Sequence, residues 1–126
     1  MERNQGWLAF KIELKEKYKN FALNIIKLVD ILPQTTSARV VGNQLAKSGT
    51  SAYANCRAAL RGRSKAEFYS KLSIVVEETD ESEMWLNILI ESGISNDEFT
   101  KNLYSESNEL IKIVSHLRKT MSNKTL

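Results

Sequence analysis

The chain is poor in the residues that staple small or irregular folds. One cysteine (Cys56) and one histidine (His116) in 126 residues exclude an intrachain disulfide and a closed zinc site of Cys and His ligands. A single proline and five glycines are too few breakers for the many turns of a β-sandwich, so long helices are expected. No apolar run approaches the roughly 18 residues a membrane span needs. Met1-Glu2-Arg3-Asn4-Gln5 leads into no signal-like stretch. The expected location is the cytoplasm, without membrane contact. What is present is ordinary for a globular protein: 42% of residues are hydrophobic and 26% charged, which argues against disorder. A single domain spanning 1–126 is expected, since one core commonly forms at about 100 to 150 residues.

Hydrophobic periodicity predicts four helices at about 8–32, 37–60, 65–90 and 96–121. In the first, Leu14, Tyr18, Phe21, Ile25, Leu28 and Leu32 recur at spacings of four and three, with Lys11, Lys15, Lys19 and Lys27 between them. Pro33 must end it, and Thr35, Thr36 and Ser37 offer caps for the second. The inward line of the second helix reads Ala38, Val41, Leu45, Ser48, Ala52, Asn55, Ala59. Its small residues invite close approach, and Gly49 within it implies tight packing to offset about 1 kcal/mol of lost helix propensity. Gly62 is a C-terminal stop, while Ser64 with Glu67 forms a capping-box pattern for the third helix. Phe68, Leu72, Val75, Thr79, Leu86 and Leu89 then face inward. Gly93 ends that helix, and Ser95 or Asn96 caps a fourth striped by Phe99, Leu103, Ser107, Leu110, Val114, Leu117 and Met121. Residues Ser122 to Leu126 are expected to fray. Short links between long helices give an all-α, antiparallel up-down-up-down four-helix bundle.

Charge is segregated along the chain. From Arg39 to Lys71 there are seven cations against one anion, and from Leu72 to Glu109 ten anions against one cation. At about 100° per residue, Arg39, Lys47, Arg57 and Arg61 fall within an arc of about 80° opposite the inward seam. Arg63 and Lys65 extend the run through the following turn. A row of cations can track phosphates and release their counterions, which makes binding salt-sensitive. Equally, such a row serves as a solvated face or pairs with the acidic third helix of the same or another subunit. Apart from Phe68, which faces inward, Tyr53 and Tyr69 are the rings near it in sequence, so backbone and shape recognition is expected over base stacking.

Catalytic chemistry is thin. A di-iron bundle needs Glu-x-x-His pairs, but Ile113 stands three residues before His116. Glu77, Glu78, Asp80, Glu81 and Glu83 read as an acidic helix face, and Cys56 as a small buried hydrophobe with no histidine nearby to activate it. There is no Gly-rich phosphate loop. No enzyme activity, metal or cofactor is expected.

The ordered run Gln44-Leu45-Ala46-Lys47-Ser48-Gly49-Thr50-Ser51, Asn55, Arg57-Ala58-Ala59, Arg61, Arg63-Ser64-Lys65-Ala66-Glu67-Phe68, Lys71-Leu72, Glu77-Glu78-Thr79-Asp80-Glu81 and Trp85-Leu86 resembles a known family. It is that of the bacterial four-helix-bundle proteins encoded in intervening sequences of large-subunit ribosomal RNA genes. Relatives act as accessory variability proteins of diversity-generating retroelements. With Phe21-Ala22 and Leu32-Pro33, the resemblance covers about residues 8 to 115. It implies a ring-like homopentamer without enzymatic activity that, in the retroelement branch, binds RNA or DNA and a reverse transcriptase. Lys47, Arg57, Arg61, Arg63 and Lys65 would be the contact residues, and Ser48, Ser51 and Asn55 structural polar positions. Tyr53 and Cys56 depart from the family's pattern.

The leading expectation is therefore a non-catalytic oligomer that binds nucleic acid through Arg39, Lys47, Arg57, Arg61, Arg63 and Lys65. The alternative is a structural or protein-interaction bundle with no nucleic-acid role. Trp7, Phe10, Trp85 and Ile88 exceed what one seam needs and are the expected oligomer contact, a wide core face being the other reading.

Overall fold

In the computed structural model, the described residues are 2–125 for the backbone and 5–121 for side-chain surroundings. Four helices follow one another: α1 (Glu2–Asp30), α2 (Thr36–Leu60), α3 (Lys65–Glu91) and α4 (Glu98–Thr125). α1 packs on α2, α2 on α3 and α3 on α4, and α4 closes more sparsely against α1, while the diagonal backbones stay apart. That is the antiparallel up-down-up-down bundle.

Local chemistry sets the ends. Thr35 accepts from the Ala38 N–H at 3.2 Å and Ser64 from the Glu67 N–H at 3.1 Å, so each caps its helix. α1 stops at Asp30 rather than Leu32, because the approach to Pro33 tightens the last turn: Ile31 and Leu32 donate to the Leu28 and Val29 carbonyls. At its other end α1 starts well before residue 8, where the Trp7 ring finds a tertiary anchor, its edge contact with Phe68 at 6.1 Å. Gly93 terminates α3 with φ 80°, a left-handed conformation that glycine adopts without steric cost. The cap of α4 is Asp97, not Ser95 or Asn96. Its carboxylate accepts from both the N–H and the hydroxyl of Thr100, a second bond that the shorter Ser95 side chain, paired instead with the Thr100 hydroxyl at 2.6 Å, does not supply. The backbone of α4 continues to Thr125, and the side chains of the tail expected to fray, Ser122–Leu126, lie outside the described residues.

The core takes Leu14, Tyr18, Phe21, Ile25 and Leu28 from α1, and Phe68, Leu72, Val75, Leu86 and Leu89 from α3. From α4 come Leu103, Leu110 and Val114, all inward as the periodicity requires. On α2 the expected seam is corrected at one place: Asn55 is half-buried and donates to the Ser51 carbonyl at 2.9 Å, whereas Cys56 is buried as expected. The reason is that α2 faces two partners. Its second buried line, Gly42, Gly49 and Cys56, recurs every seven residues, and its first two members seat α1. A Cβ at Gly49 would stand 2.5 Å from Ile25 Cδ1, so the absence of a side chain sets the α1–α2 distance.

Buried hydroxyls are all accounted for, with no buried side-chain polar atom unpartnered among the described residues. Thr79 donates to the Val75 carbonyl at 2.6 Å, so its single hydroxyl proton is engaged and Tyr18 donates to Thr79 across the core at 2.8 Å. Ser48 and Ser82 meet at 2.8 Å between α2 and α3.

Candidate nucleic-acid interface

The α2 cations stand where their angular spacing puts them: Arg39, Lys47, Arg57 and Arg61 are exposed, as are Arg63 and Lys65 on the turn into α3. Among the described residues the one ion pair is Lys17 with Glu109 at 3.6 Å, so none of the described carboxylates pairs with any of these six. Arg57 lies 5.9 Å from the centroid of the Tyr53 ring, a weak cation–π contact that orients the guanidinium without neutralising it.

The six do not form one evenly spaced row. Lys47 precedes Arg57 by ten positions, about 15 Å along the helix, and Arg39 stands a further 12 Å or so away, beside the α1–α2 link. Arg57, Arg61, Arg63 and Lys65 instead gather at the end of the bundle where α2 turns into α3. The antiparallel α1–α2 hairpin brings two more cations there. Lys11 and Lys15 join Arg57 and Arg61 around a groove of about 180 Å³ floored by Leu8, Ile12 and Leu60. Next to it, sharing Lys11 and Leu60, a cavity of about 260 Å³ is lined by Arg63, Lys65, Trp7 and Phe68. Lys11, Lys15 and Trp7 belong to this cluster but were not assigned to it from the sequence. Their signal is the hairpin itself, which sets early residues of helix one beside late residues of helix two.

The four expected contact residues for assembly separate in space. Trp7, 42% exposed, stacks on Phe10 with ring centroids 5.6 Å apart. Ile88, 37% exposed, lies with Met84 on the outer face of α3. Since Trp7 touches Phe68, and Phe68 precedes Trp85 by 17 positions on α3, the two groups are about 26 Å apart along the bundle. Phe10 and Trp85 are half-buried against the core, and the Trp85 indole donates to Glu81 at 3.2 Å.

Titration behaviour separates buried from exposed groups. Burial pushes the Cys56 thiol up to about 12 against a weaker opposing pull from Lys15, so it is a protonated, inert thiol at neutral pH. Burial also raises the Tyr18 phenol. Glu106, in a polar cleft between α1 and α4, is raised by burial and then by Glu109, with Lys17 acting the other way. Hydrogen bonds from the Thr100 N–H and hydroxyl lower Asp97. None of these groups belongs to the cationic cluster.

Comparison with known proteins gives the arrangement its context. The family described as 23S rRNA-intervening sequence protein matches residues 11–116, nearly the whole bundle. The chain belongs to this family. A similar solved structure is that of a protein with unknown function from the S23 ribosomal protein family of Bacteroides thetaiotaomicron VPI-5482. It is 32% identical, covers 86% of this chain and 97% of its own, and superposes with a TM-score of 0.78. No curated protein matches. The basic cluster of this 23S rRNA-intervening sequence family member thus sits inside the matched span except for Trp7 and Leu8, which precede it.

Proposed function

We propose that this protein is a non-catalytic, oligomeric nucleic-acid-binding bundle whose contact surface is the basic face of α2 and the α2–α3 turn. The observation that carries the reading is that six exposed cations, Arg39, Lys47, Arg57, Arg61, Arg63 and Lys65, have no carboxylate partner within the protomer among the described residues. Four of them cluster with Lys11 and Lys15 at one end, a density of charge suited to phosphate oxygens. Repetition of that cluster in an oligomer multiplies weak contacts into avidity.

Assembly is proposed to use apolar surface that one bundle leaves uncovered. Met84 and Ile88 on α3 stand among Glu77, Asp80 and Glu91, while Leu23 and Ile26 on α1 stand among Glu16, Lys19, Lys27 and Asp30. α1 and α3 are parallel and diagonal in the bundle, so these two apolar patches, the one on α3 rimmed by acids and the one on α1 by both signs of charge, point away from each other at the same level. One copy's α1 can therefore meet the next copy's α3, a head-to-tail contact that generates a ring when the rotation closes. Trp85 flanks this contact, and five copies is the number the family resemblance implies.

Fluorescence anisotropy with a labelled RNA duplex across a salt series tests the binding. Four neutralised phosphates give a log–log slope of about −3.6 by the duplex-DNA rule, close to a 100-fold loss between 50 and 200 mM salt. Charge reversal of Arg57 and Arg61 together lowers the slope magnitude by about two. Absence of binding at low ionic strength, or binding indifferent to that reversal, rejects the proposal in favour of an interaction bundle.

A further inference from the structure

The cavity at the α2–α3 turn is more than a continuation of the cationic surface, because it pairs cations with an exposed indole. Trp7 retains 42% of its surface exposed although Phe10 stacks on it and the Phe68 ring meets it in an edge contact from another helix. Two rings from different elements therefore hold the indole plane in place before any ligand arrives, which reduces the ordering cost of binding. Lys11 stands 6.0 Å from the indole centroid, at the outer limit of a cation–π contact, on a side chain long enough to swing aside. Arg63 and Lys65 line the same cavity. Its volume of about 260 Å³ is just below the roughly 300 Å³ at which small-molecule pockets begin, room for one ring system and not for a folded partner. The groove bordered by Lys11, Lys15, Arg57 and Arg61 opens directly beside it.

We infer that this cavity receives the unpaired terminal base of a nucleic-acid strand, stacked on the Trp7 indole, while Lys11, Arg63 and Lys65 hold the adjoining phosphates. The inference rests on the nucleic-acid reading above and adds to it a preference for strand ends. A charged groove that follows the backbone and ends at an aromatic ring is the combination that holds single strands, since every base offers a π-face. A base within a duplex offers no such face until it is unstacked. An acidic polypeptide would satisfy the cations but has nothing that specifically needs the ring.

The test compares a blunt RNA duplex with the same duplex carrying a short single-stranded extension, by anisotropy at low salt on the full chain. The expected result is that the extension tightens binding roughly 5- to 150-fold, the range for one stacked base. Trp7→Ala reduces this ratio to about one, and Trp7→Phe restores most of it. The wild-type ratio needs no variant, so the inference stays testable if Trp7→Ala folds poorly. Equal binding of the two duplexes overturns the strand-end preference while leaving the nucleic-acid reading intact. Failure of both to bind at low salt overturns the two together. Displacement by polyglutamate as effective as displacement by an oligonucleotide of equal charge assigns the cavity to acidic polypeptides and also overturns the inference.

Discussion

Gly49→Ala is the sharpest test of how α1 and α2 are held, because two opposing terms of known size meet at one atom. Alanine improves helix propensity by about 1 kcal/mol in the interior of α2. Its Cβ, however, would lie 2.5 Å from Ile25 Cδ1, at least about 1 Å inside the optimum carbon–carbon separation. Ile25 is fully buried between neighbours, so its side chain cannot rotate into solvent, and forcing extra volume into such a core costs about 1 to 3 kcal/mol. The expected net effect is a loss of about 1 kcal/mol. Ile25→Val removes the clashing methyl and by itself costs about 1 kcal/mol. In that background the next Ile25 atoms, at 3.4 and 3.5 Å, are in ordinary contact, so Gly49→Ala should become stabilising by up to about 1 kcal/mol. The double-mutant cycle therefore predicts a coupling near 2 kcal/mol. Urea unfolding followed by far-ultraviolet circular dichroism measures it, with all four proteins at one concentration because assembly shifts apparent stability. Additivity to within about 0.5 kcal/mol, or stabilisation by Gly49→Ala alone, would refute the close-approach argument.

Cys56, 2% exposed with a thiol pushed up to about 12, should react with iodoacetamide at pH 8 only through unfolding, and labelling of the folded protein at the rate of a free peptide thiol would contradict its burial. Asp97 titrates below its ordinary value because Thr100 donates to its charged form, so it stabilises the fold above about pH 4 and loses that effect as the pH falls through its lowered native value. The thermal midpoint of the wild type should thus exceed that of Asp97→Ala at pH 7, with the gap closing in acid; an unchanged gap at pH 2 would be incompatible with a charged cap. Ile88→Lys sets a charge in the apolar contact with Leu23 and Ile26 of a neighbouring α1 and should dissociate the assembly in analytical ultracentrifugation while shifting protomer stability by no more than about 0.5 kcal/mol. A monomeric wild type would remove the assembly proposal.

Helix number, order and inward faces were legible because apolar residues recur with the helical period in every segment and Pro33, Gly62 and Gly93 punctuate them. The errors were local. Asn55, about 100° on the wheel from the buried Cys56, falls at the margin of the seam, and fixing that margin requires knowing where the two partners of α2 lie. Asp97 displaced the two expected caps because it, and not they, satisfied both donors of Thr100. Adjacent residues with the same capping chemistry differ in which reaches the first free N–H, which depends on the preceding turn.

The charge stripe shows where one-dimensional reading stops. That Arg57 and Arg61 face away from the α2 seam follows from helical geometry alone, and so does the contrast between a basic second helix and an acidic third. The company those arginines keep does not. Lys11 and Trp7 lie about fifty residues earlier, and only the packing register of two antiparallel helices sets them around the same grooves. Periodicity within a segment is a property of its own backbone, so composition and spacing determine which side of each helix is wet. The meeting of side chains from different segments depends on how closely the helices approach and at what offset, and here the missing side chain at Gly49 and the aromatic contact of Trp7 with Phe68 decide that in three dimensions.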